Sequence, residues 1–325
     1  MRRIPISAVE AAAKAIYAAA VRTPLVRLEV PVRTPDGADV QVYLKLECLQ
    51  PIGSFKLRGA YNAVRQLSPE QLKNGVWTVS AGNAAQGVAF AARAVGAPCS
   101  VMVMDTAPET KVRAVERLGA TVVRATYDEC WTTVETHGSD RMHGYFVHPF
   151  DDDAFIAGNA TAALEILEDL PDVSTVVAAI GGGGLLSGIA AVMSARRPDV
   201  RVVAAEPETA SPLALSLAAG SPQRFEAWRA SFVDGAGGKA VLPSMWPLLH
   251  DTVKASLIVT LDDAAAAMKL TAERMHVIIE GAAACAVAAA LSGRAGAGKV
   301  VAVVSGGNID LSRFAALVGA CPAAG

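Results

Sequence analysis

The first residues in this chain that could do chemistry surround a single lysine, Lys56. It lies in the run Gly53-Ser54-Phe55-Lys56-Leu57-Arg58-Gly59-Ala60, between a glycine and the start of a helical pattern. Just before it, apolar and polar residues largely alternate through Gln41-Val42-Tyr43-Leu44-Lys45-Leu46-Glu47-Cys48-Leu49, which indicates a strand. A strand, a glycine turn and a helix can hold an amine at the mouth of a sheet, where it is a nucleophile once it is unprotonated. Most lysines are solvated surface charges, so this hypothesis depends on the rest of the chain.

A glycine run further along is suited to binding an anion. Gly181-Gly182-Gly183-Gly184 joins a predicted strand to a predicted helix, and backbone N–H groups there can approach a phosphate closely. A plain tight turn is one alternative. A dinucleotide-binding fingerprint is another, because Glu206 ends the next predicted strand, but the third position of that pattern is Ser187 rather than glycine. The nucleotide alternative also leaves Lys56 unexplained.

Two more stretches complete an ordered set of four motifs, namely Ser80-Ala81-Gly82-Asn83-Ala84-Ala85-Gln86-Gly87 and Ser305-Gly306-Gly307-Asn308. In this order the four motifs resemble the pyridoxal-phosphate (PLP) enzymes of the serine/threonine dehydratase type, fold type II. The resemblance extends from about residue 22 to about residue 310. It implies an α/β fold of two doubly wound parallel-sheet domains, with the active site in the cleft between them. The large domain would comprise residues 1–71 and 149–325, and a small mobile domain residues 72–148.

The resemblance also implies a role for each motif. Lys56 would form the Schiff base with PLP and later take the α-proton of the substrate. Phe55 would pack near the cofactor ring, although a core aromatic is an equal alternative. The remaining cofactor contacts would come from Asn83 to the 3'-oxygen, Gly181, Gly182, Gly183, Gly184 and Leu185 to the phosphate, Glu280 near the ring, and Ser305 to the pyridine nitrogen. The substrate carboxylate would be held by Ser80, Ala81, Gly82, Asn83 and Ala84.

Ser305 favours one type of reaction over another. A hydroxyl can donate a hydrogen bond to an unprotonated pyridine nitrogen, whereas a carboxylate would keep that nitrogen protonated. The electron sink is then weaker, which disfavours a long-lived carbanion. Prompt loss of a β-leaving group fits this better than transamination.

The chain departs from the family pattern beside the asparagine loop. Racemases of this family place a second acid/base serine where this chain has Ala81, so efficient racemisation is not expected. Many threonine dehydratases have a histidine where this chain has Ala84, which predicts a roomier side-chain pocket. Tyr127 and Trp131 could line that pocket, with a core role as the alternative.

A third departure concerns metal ions. Glu206-Pro207-Glu208-Thr209-Ala210-Ser211-Pro212 resembles a cation-binding segment in relatives, but Pro212 replaces the second acidic ligand. A divalent ion is therefore not expected, and a monovalent cation held by carbonyls stays open. The five histidines form no convincing metal-ligand set, so no protein-bound metal is predicted.

Composition narrows the partners and the compartment. The formal net charge is -2 with no basic block, so neither nucleic acid nor an anionic membrane is expected to bind. Five scattered cysteines without a CxxC pair indicate free thiols in a reducing cytoplasm. Residues 174–195 carry no charge, but the glycine run among them argues against a membrane helix. A homodimer that acts on a small amino acid is expected.

The hydrophobic pattern predicts alternating strands and helices around these motifs. Ser7-Ala8-Val9-Glu10 is interpreted as a capping box, residues 22–25 as a turn, and Asp262 as the cap of a long helix. Strands are predicted at residues 76–79, 100–104, 121–124, 145–147, 175–180, 201–205, 257–260 and 300–304, and helices at 55–67, 84–95, 108–118, within 128–136, 160–170 and 185–195.

The sequence leaves several functions open. The first hypothesis is a PLP-dependent dehydratase, or ammonia-lyase, of β-hydroxy-α-amino acids, with L-threonine and L-serine as default substrates. The roomier pocket predicted at Ala84 makes L-phenylserine a further option. A β-replacement synthase using an activated serine, a serine racemase-like enzyme and a non-catalytic binding module that keeps the fold are the alternatives.

Overall fold

The computed structural model describes residues 2–321, which form two sheets with helices packed around them. The strands, in chain order, are β1 Leu25–Arg33, β2 Asp39–Lys45, β3 Val76–Val79, β4 Cys99–Met104, β5 Thr121–Ala125, β6 Tyr145–Phe146, β7 Thr175–Ala179, β8 Arg201–Pro207, β9 Ala255–Val259 and β10 Gly298–Val303. The α-helices are α1 Ile6–Ala13, α2 Lys56–Val64, α3 Pro69–Lys73, α4 Asn83–Val95, α5 Glu109–Glu116, α6 Tyr127–Thr136, α7 Asp153–Asp169, α8 Gly184–Arg196, α9 Pro212–Ala219, α10 Trp246–Leu249, α11 Leu261–Met275, α12 Gly281–Leu291 and α13 Leu311–Ala320.

The two sheets draw on different parts of the chain. The six-stranded sheet has the order β1-β2-β10-β7-β8-β9, and the four-stranded sheet the order β5-β4-β3-β6. All neighbours are parallel except β1 and β2. The doubly wound α/β fold is therefore confirmed, with one antiparallel strand added. The strands of the smaller sheet lie between residues 76 and 146, inside the range predicted for the small domain, whose boundaries stay a prediction.

The uncharged stretch at residues 174–195 is explained by burial inside the large sheet layer. Every residue of β7 is buried, and so is most of α8. Strands buried on both faces of a parallel sheet are continuously apolar, because helices cover both sides. Among residues 2–321, no helix is both long enough and apolar enough to cross a bilayer.

The predicted alternation of strands and helices is confirmed, with most ends displaced by a few residues and α7 beginning earlier than expected, at Asp153. Two predicted caps are wrong. Ser7 lies inside α1, which begins after Pro5 without a side-chain cap. The N-cap of α11 is Thr260, whose hydroxyl accepts from the Asp263 N–H, so Asp262 is a first-turn residue instead.

Strand β1 is not predicted from the sequence, in which only a turn at residues 22–25 is recognised between α1 and β2. It runs antiparallel to β2 at the edge of the large sheet, with an irregularity between Leu28 and Val32. Its charged residues and Pro31 are more typical of a loop, so the sequence does not indicate a strand there. These are the residues that an edge strand tolerates, because one side of its backbone needs no partner strand.

Four charged side chains are buried together beneath α2. Arg58 bridges two carboxylates, with its Nε 2.7 Å from Glu47 Oε2 and its Nη1 2.6 Å from Glu165 Oε1. Lys45 Nζ lies 2.5 Å from the second oxygen of Glu165. Burial alone would raise the pKa of Glu165, but its bonds and charge contacts with Arg58 and Lys45 hold the pKa below its usual value. Since Lys56 begins α2, this cluster fixes the helix on which the candidate amine stands.

Candidate active site

Lys56 presents a partly buried amine at the start of α2. The turn before it contains Gly53, whose φ of +73° favours glycine. Lys56 Nζ donates to the Pro149 carbonyl at 2.5 Å. Burial lowers the pKa of Lys56 to about 8, against a smaller raising effect of Glu280. The neutral, nucleophilic amine is thus far more populated near neutral pH than for an exposed lysine.

Two aromatic rings lie close to this amine. The centroids of Phe55 and Phe155 each lie 5.3 Å from Lys56 Nζ. The Phe55 N–H donates to the Ser305 carbonyl at 3.0 Å, which ties the lysine turn to the segment after β10. Phe55 therefore lies beside the amine, and its contact with the cofactor stays a prediction.

The glycine run forms a set of free backbone donors between β7 and α8. The N–H groups from Gly181 to Leu186 have no acceptor in the part of the chain that the structure describes. A Cβ atom on Gly182 would lie 2.2 Å from the Phe150 ring, so only glycine fits there. Free N–H groups at a helix N-terminus attract an anion, and these groups open α8, a helix of 13 residues. The loop is therefore built to hold a phosphate-like group.

A second set of free donors follows β3. Ser80 Oγ accepts the Gly82 N–H at 3.1 Å, while the N–H groups of Ala81, Asn83 and Ala84 have no acceptor among residues 2–321. These groups lie at the N-terminus of α4, which favours negative charge. The loop can therefore hold a carboxylate.

Asn83 and Glu280 join the two sheets at this edge. Asn83 Nδ2 donates to Glu280 Oε1 at 2.8 Å. Burial, with a smaller contribution from the charge of Asp234, raises the pKa of Glu280 to about 8, although the hydrogen bond from Asn83 acts in the opposite direction. Glu280 is therefore largely a neutral acid at neutral pH. Gly306 lies against it, since a Cβ atom there would be 2.5 Å from Oε1.

Ser305 is buried, with 4% of its surface exposed, and its hydroxyl has no hydrogen-bond partner in the described part of the chain. It precedes Gly306, which forms a bridge with Ser54 in the lysine turn. The hydroxyl is thus available to a ligand in the same neighbourhood as Lys56. The glycine loop reaches this neighbourhood through Phe150, whose ring covers Gly182 and whose preceding residue accepts from Lys56.

Comparison with known proteins agrees with this geometry. Residues 16–306 match the family model described as pyridoxal-phosphate dependent enzyme. L-threonine ammonia-lyase of Thermotoga maritima is 40% identical over 275 residues, which cover 84% of this chain and 68% of that protein. Human serine racemase is 37% identical over 280 residues, which cover 83% and 82% of the two chains. The solved structure of the processed form of threonine deaminase isoform 2 from Solanum lycopersicum matches with a TM-score of 0.85 at 31% identity, over 97% of this chain and 91% of that one. This chain is a pyridoxal-phosphate-dependent enzyme of fold type II.

The predicted family is thereby confirmed, and the site of this PLP enzyme fits the cofactor. The free N–H groups at the glycine loop suit its phosphate, and the desolvated Lys56 amine suits its aldehyde. The unpartnered hydroxyl of Ser305 suits a ring nitrogen. The roles of the individual residues remain predictions, but the structure brings Phe55, Lys56, Asn83, Glu280 and Ser305 together.

Replacing Gly182 by alanine is expected to weaken PLP binding by roughly tenfold or more, the effect of losing one or two hydrogen bonds to a charged group. The new methyl group would overlap the Phe150 ring, so either the ring or the donor loop must move. The PLP retained by the enzyme after dialysis measures this. Gly138→Ala is the matched control, because a Cβ atom there meets nothing within 4 Å. Equal retention by both variants would contradict the assignment of the loop.

Two aromatic residues predicted for the side-chain pocket make other contacts. Trp131 Nε1 donates to Glu135 at 2.7 Å, and the Tyr127 ring lies 4.1 Å from Lys239 Nζ. Neither contact involves Lys56, and a pocket role for these residues stays a prediction.

Sequence reasoning missed several residues at this site. Lys111 on α5 forms an ion pair with Asp234, and both charges act on Glu280. The Pro149 carbonyl carries no sequence signal, since any residue has one. Asn308 belonged to a recognised motif but was given no role. It donates to Asn83, as described below.

In the segment that resembles a cation site, the acidic side chain accepts hydrogen bonds from the protein itself. The buried Glu206 carboxylate accepts the N–H groups of Leu213 and Ala214, each at 2.8 Å, and the Ser256 hydroxyl at 2.5 Å. Pro212 opens helix α9 beside it. Whether a monovalent ion binds nearby stays a prediction.

A cluster of His137, His148 and Asp151 lies close enough to suggest a metal site. His148 cannot serve as a ligand, because its Nδ1 accepts the Asp151 N–H at 2.7 Å and its Nε2 lies 3.1 Å from the Val134 carbonyl. Burial lowers the pKa of His148 to about 4, so the ring is neutral. The cluster instead fixes the segment that carries Pro149 and Phe150.

Proposed function

We propose that this enzyme is an ammonia-lyase that converts a β-hydroxy-α-amino acid into a 2-oxo acid and ammonia, with L-threonine and L-serine as default substrates. The observation that carries the proposal is the partly buried Lys56 amine, which donates to the Pro149 carbonyl and whose pKa is lowered to about 8 by desolvation. Such an amine can take a proton near neutral pH, as removal of an α-proton requires. The 40% identity to an L-threonine ammonia-lyase supports the same substrate class.

The residues around Lys56 would divide the remaining tasks. The free N–H groups at Ala81, Asn83 and Ala84 would bind the substrate carboxylate and orient the α-carbon. When bound, PLP supplies an electron sink for the electrons left by the α-proton. The Ser305 hydroxyl would donate to its ring nitrogen without protonating it fully. That moderate sink favours expulsion of the β-hydroxyl over a persistent carbanion.

Racemisation is the nearest competing activity, since serine racemases are among the relatives. It needs a second acid/base group on the opposite face of the α-carbon. Ala81 offers only a methyl group, and the hydroxyl of neighbouring Ser80 accepts the Gly82 N–H. We therefore expect D-serine to form much more slowly than pyruvate from L-serine.

A bulky β-aryl substrate such as L-phenylserine is the second candidate. Ala84 supports it, because this small residue lies in the first turn of α4 beside the carboxylate loop. A larger side chain at that position would reduce the space next to the bound α-carbon. Replacing Ala84 by histidine is therefore expected to lower turnover of phenylserine more than turnover of threonine.

One assay separates these candidates. The PLP-loaded protein is incubated with L-threonine, L-serine or L-phenylserine, and 2-oxo acid and ammonia are measured, with D-serine followed separately. Turnover of threonine or serine supports the proposal, and turnover of phenylserine alone assigns the β-aryl substrate. No product from any of the three, together with consumption of O-acetylserine and sulfide, would replace the proposal with a β-replacement synthase.

A further inference from the structure

Asn308 occupies a fixed position between the lysine turn and the asparagine loop. Its Nδ2 donates to the Ile52 carbonyl at 2.8 Å and to Asn83 Oδ1 at 2.7 Å. Its Oδ1 lies against Gly53, where a Cβ atom would approach to 2.6 Å. Both hydrogens of the Asn308 amide are therefore used, and its oxygen is packed against backbone.

These hydrogen bonds fix the orientation of the Asn83 amide, that is, which side its oxygen and its NH₂ group face. The Ile52 carbonyl can only accept, so the Asn308 side chain must present its NH₂ group on that side. The same NH₂ group also donates to Asn83, which must therefore accept this hydrogen bond with its Oδ1. The Asn83 NH₂ group is consequently left to face Glu280, to which it donates at 2.8 Å. The other hydrogen of that NH₂ group has no acceptor within residues 2–321.

The chain of bonds also crosses between the two sheets. Asn83 begins α4, which follows β3 of the four-stranded sheet in the chain, whereas Asn308 follows β10 of the six-stranded sheet. Ile52 lies in the turn that leads to Lys56. Asn308 therefore connects the segment carrying the amine to the loop carrying Asn83.

We propose that Asn308 is a positioning residue that fixes the side-chain amide of Asn83 with its N–H groups directed at Glu280 and at a cofactor oxygen. This inference rests on PLP as the cofactor and on the site named in the proposed function. Asn83 is the group that touches the ligand, and Asn308 acts through it. Without Asn308, the Asn83 amide can turn and present its oxygen, which would repel an anionic cofactor oxygen.

The near-isosteric substitution Asn308→Asp tests this directly. A carboxylate has no N–H for Asn83 or Ile52, so the Asn83 amide is expected to turn and donate to the new carboxylate instead. PLP should then dissociate roughly 10- to 100-fold more readily, the effect of losing a hydrogen bond to a charged group. Equilibrium dialysis of the holoenzyme measures the loss. The pH dependence of the visible absorption of bound PLP should also shift, because its oxygen has lost a donor. At lower pH the new carboxyl gains a proton that it can donate to Asn83, and the difference from wild type should shrink.

Two controls separate positioning from folding. Asn74→Asp makes the same change at an exposed helix end and should leave PLP retention and absorption as in wild type. Asn308→Ala removes both donors without adding a charge, so its PLP loss should be smaller than that of Asn308→Asp and independent of pH. Melting temperatures are compared at saturating PLP.

Wild-type PLP retention and absorption in Asn308→Asp would overturn the proposal. A lower melting temperature at saturating PLP in both variants, with PLP loss that is equal and independent of pH, would also overturn it by showing a structural role alone. These readouts need no turnover. A failure of the proposed function would appear instead as absence of 2-oxo acid formation by the wild-type enzyme.

Discussion

Lys56→Ala is expected to lower turnover of every β-hydroxy amino acid by at least about 10⁴-fold, the upper range for loss of a proton-transferring side chain. The amine is partly buried, lies 5.3 Å from the ring centroids of both Phe55 and Phe155, and donates to the Pro149 carbonyl. Lys111, the other lysine described at this site, is engaged in an ion pair with Asp234. The glycine loop remains intact in this variant, so PLP is expected to bind without its covalent link, which absorption after denaturation would detect.

Lys14→Ala is the matched control, because Lys14 is exposed at the end of α1. It should leave the 2-oxo acid rate unchanged. A Lys56→Ala enzyme that keeps more than about 1% of wild-type turnover would remove Lys56 from the mechanism.

The same substitution carries a stability signature. Because the pKa of Lys56 falls from 10.5 to about 8 on folding, the unfolded chain binds more protons between these values. In the PLP-free protein, where the Lys56 amine is free to titrate, the free energy of unfolding should therefore rise with pH through that window, and the destabilisation caused by desolvating the charged amine should be fully present below about pH 8. Lys56→Ala should lose this dependence and be no less stable than wild type at pH 7.

The motifs could be predicted from the sequence because their chemistry is local. A glycine run between a strand and a helix can bind an anion through its own backbone N–H groups. The turn at Gly53 before Lys56 is likewise indicated by the glycine itself. The order of strands and helices was equally visible, since buried strands such as β7 are continuously apolar. These features come from short-range patterns, which a single sequence retains.

What could not be predicted depends on contacts between distant segments. Asn308 acquires its role only because its side chain meets Ile52 and Asn83, which lie 256 and 225 residues away in the sequence. Strand β1 was missed because its pairing with β2, rather than its own composition, makes it a strand. The cap of α11 moved from Asp262 to Thr260, since either residue type could cap and only the backbone path decides.

The buried ion cluster is the clearest case of information absent from the local sequence. Lys45, Glu47, Arg58 and Glu165 would each be interpreted alone as a surface charge. Each is at most 1% exposed in the structure. Their burial is tolerable only because each charge finds an opposite charge within hydrogen-bonding distance. The sequence contained the residues but not their pairing.

Arg58→Met is accordingly expected to reduce the free energy of unfolding by about 3–5 kcal/mol, the typical cost of removing one partner from a buried ion pair. Methionine fills much of the volume, but it leaves Glu47 without its guanidinium and Glu165 with Lys45 alone. Urea unfolding at saturating PLP measures the loss. Arg58→Lys should also destabilise the protein, because one ammonium group cannot replace a guanidinium that bonds to two carboxylates at once.

Arg224→Met is the control for this prediction. Arg224 is about half exposed, and its Nε lies 3.8 Å from the exposed Glu226, so water already solvates both charges. Its replacement should leave the urea midpoint nearly unchanged. If Arg58→Met unfolded at the same urea concentration as Arg224→Met, the cluster would not be what holds α2 in place. The position of Lys56 would then have to come from the apolar packing of α2 against α4 and α7 and from the bonds that join its turn to Ser305 and Asn308.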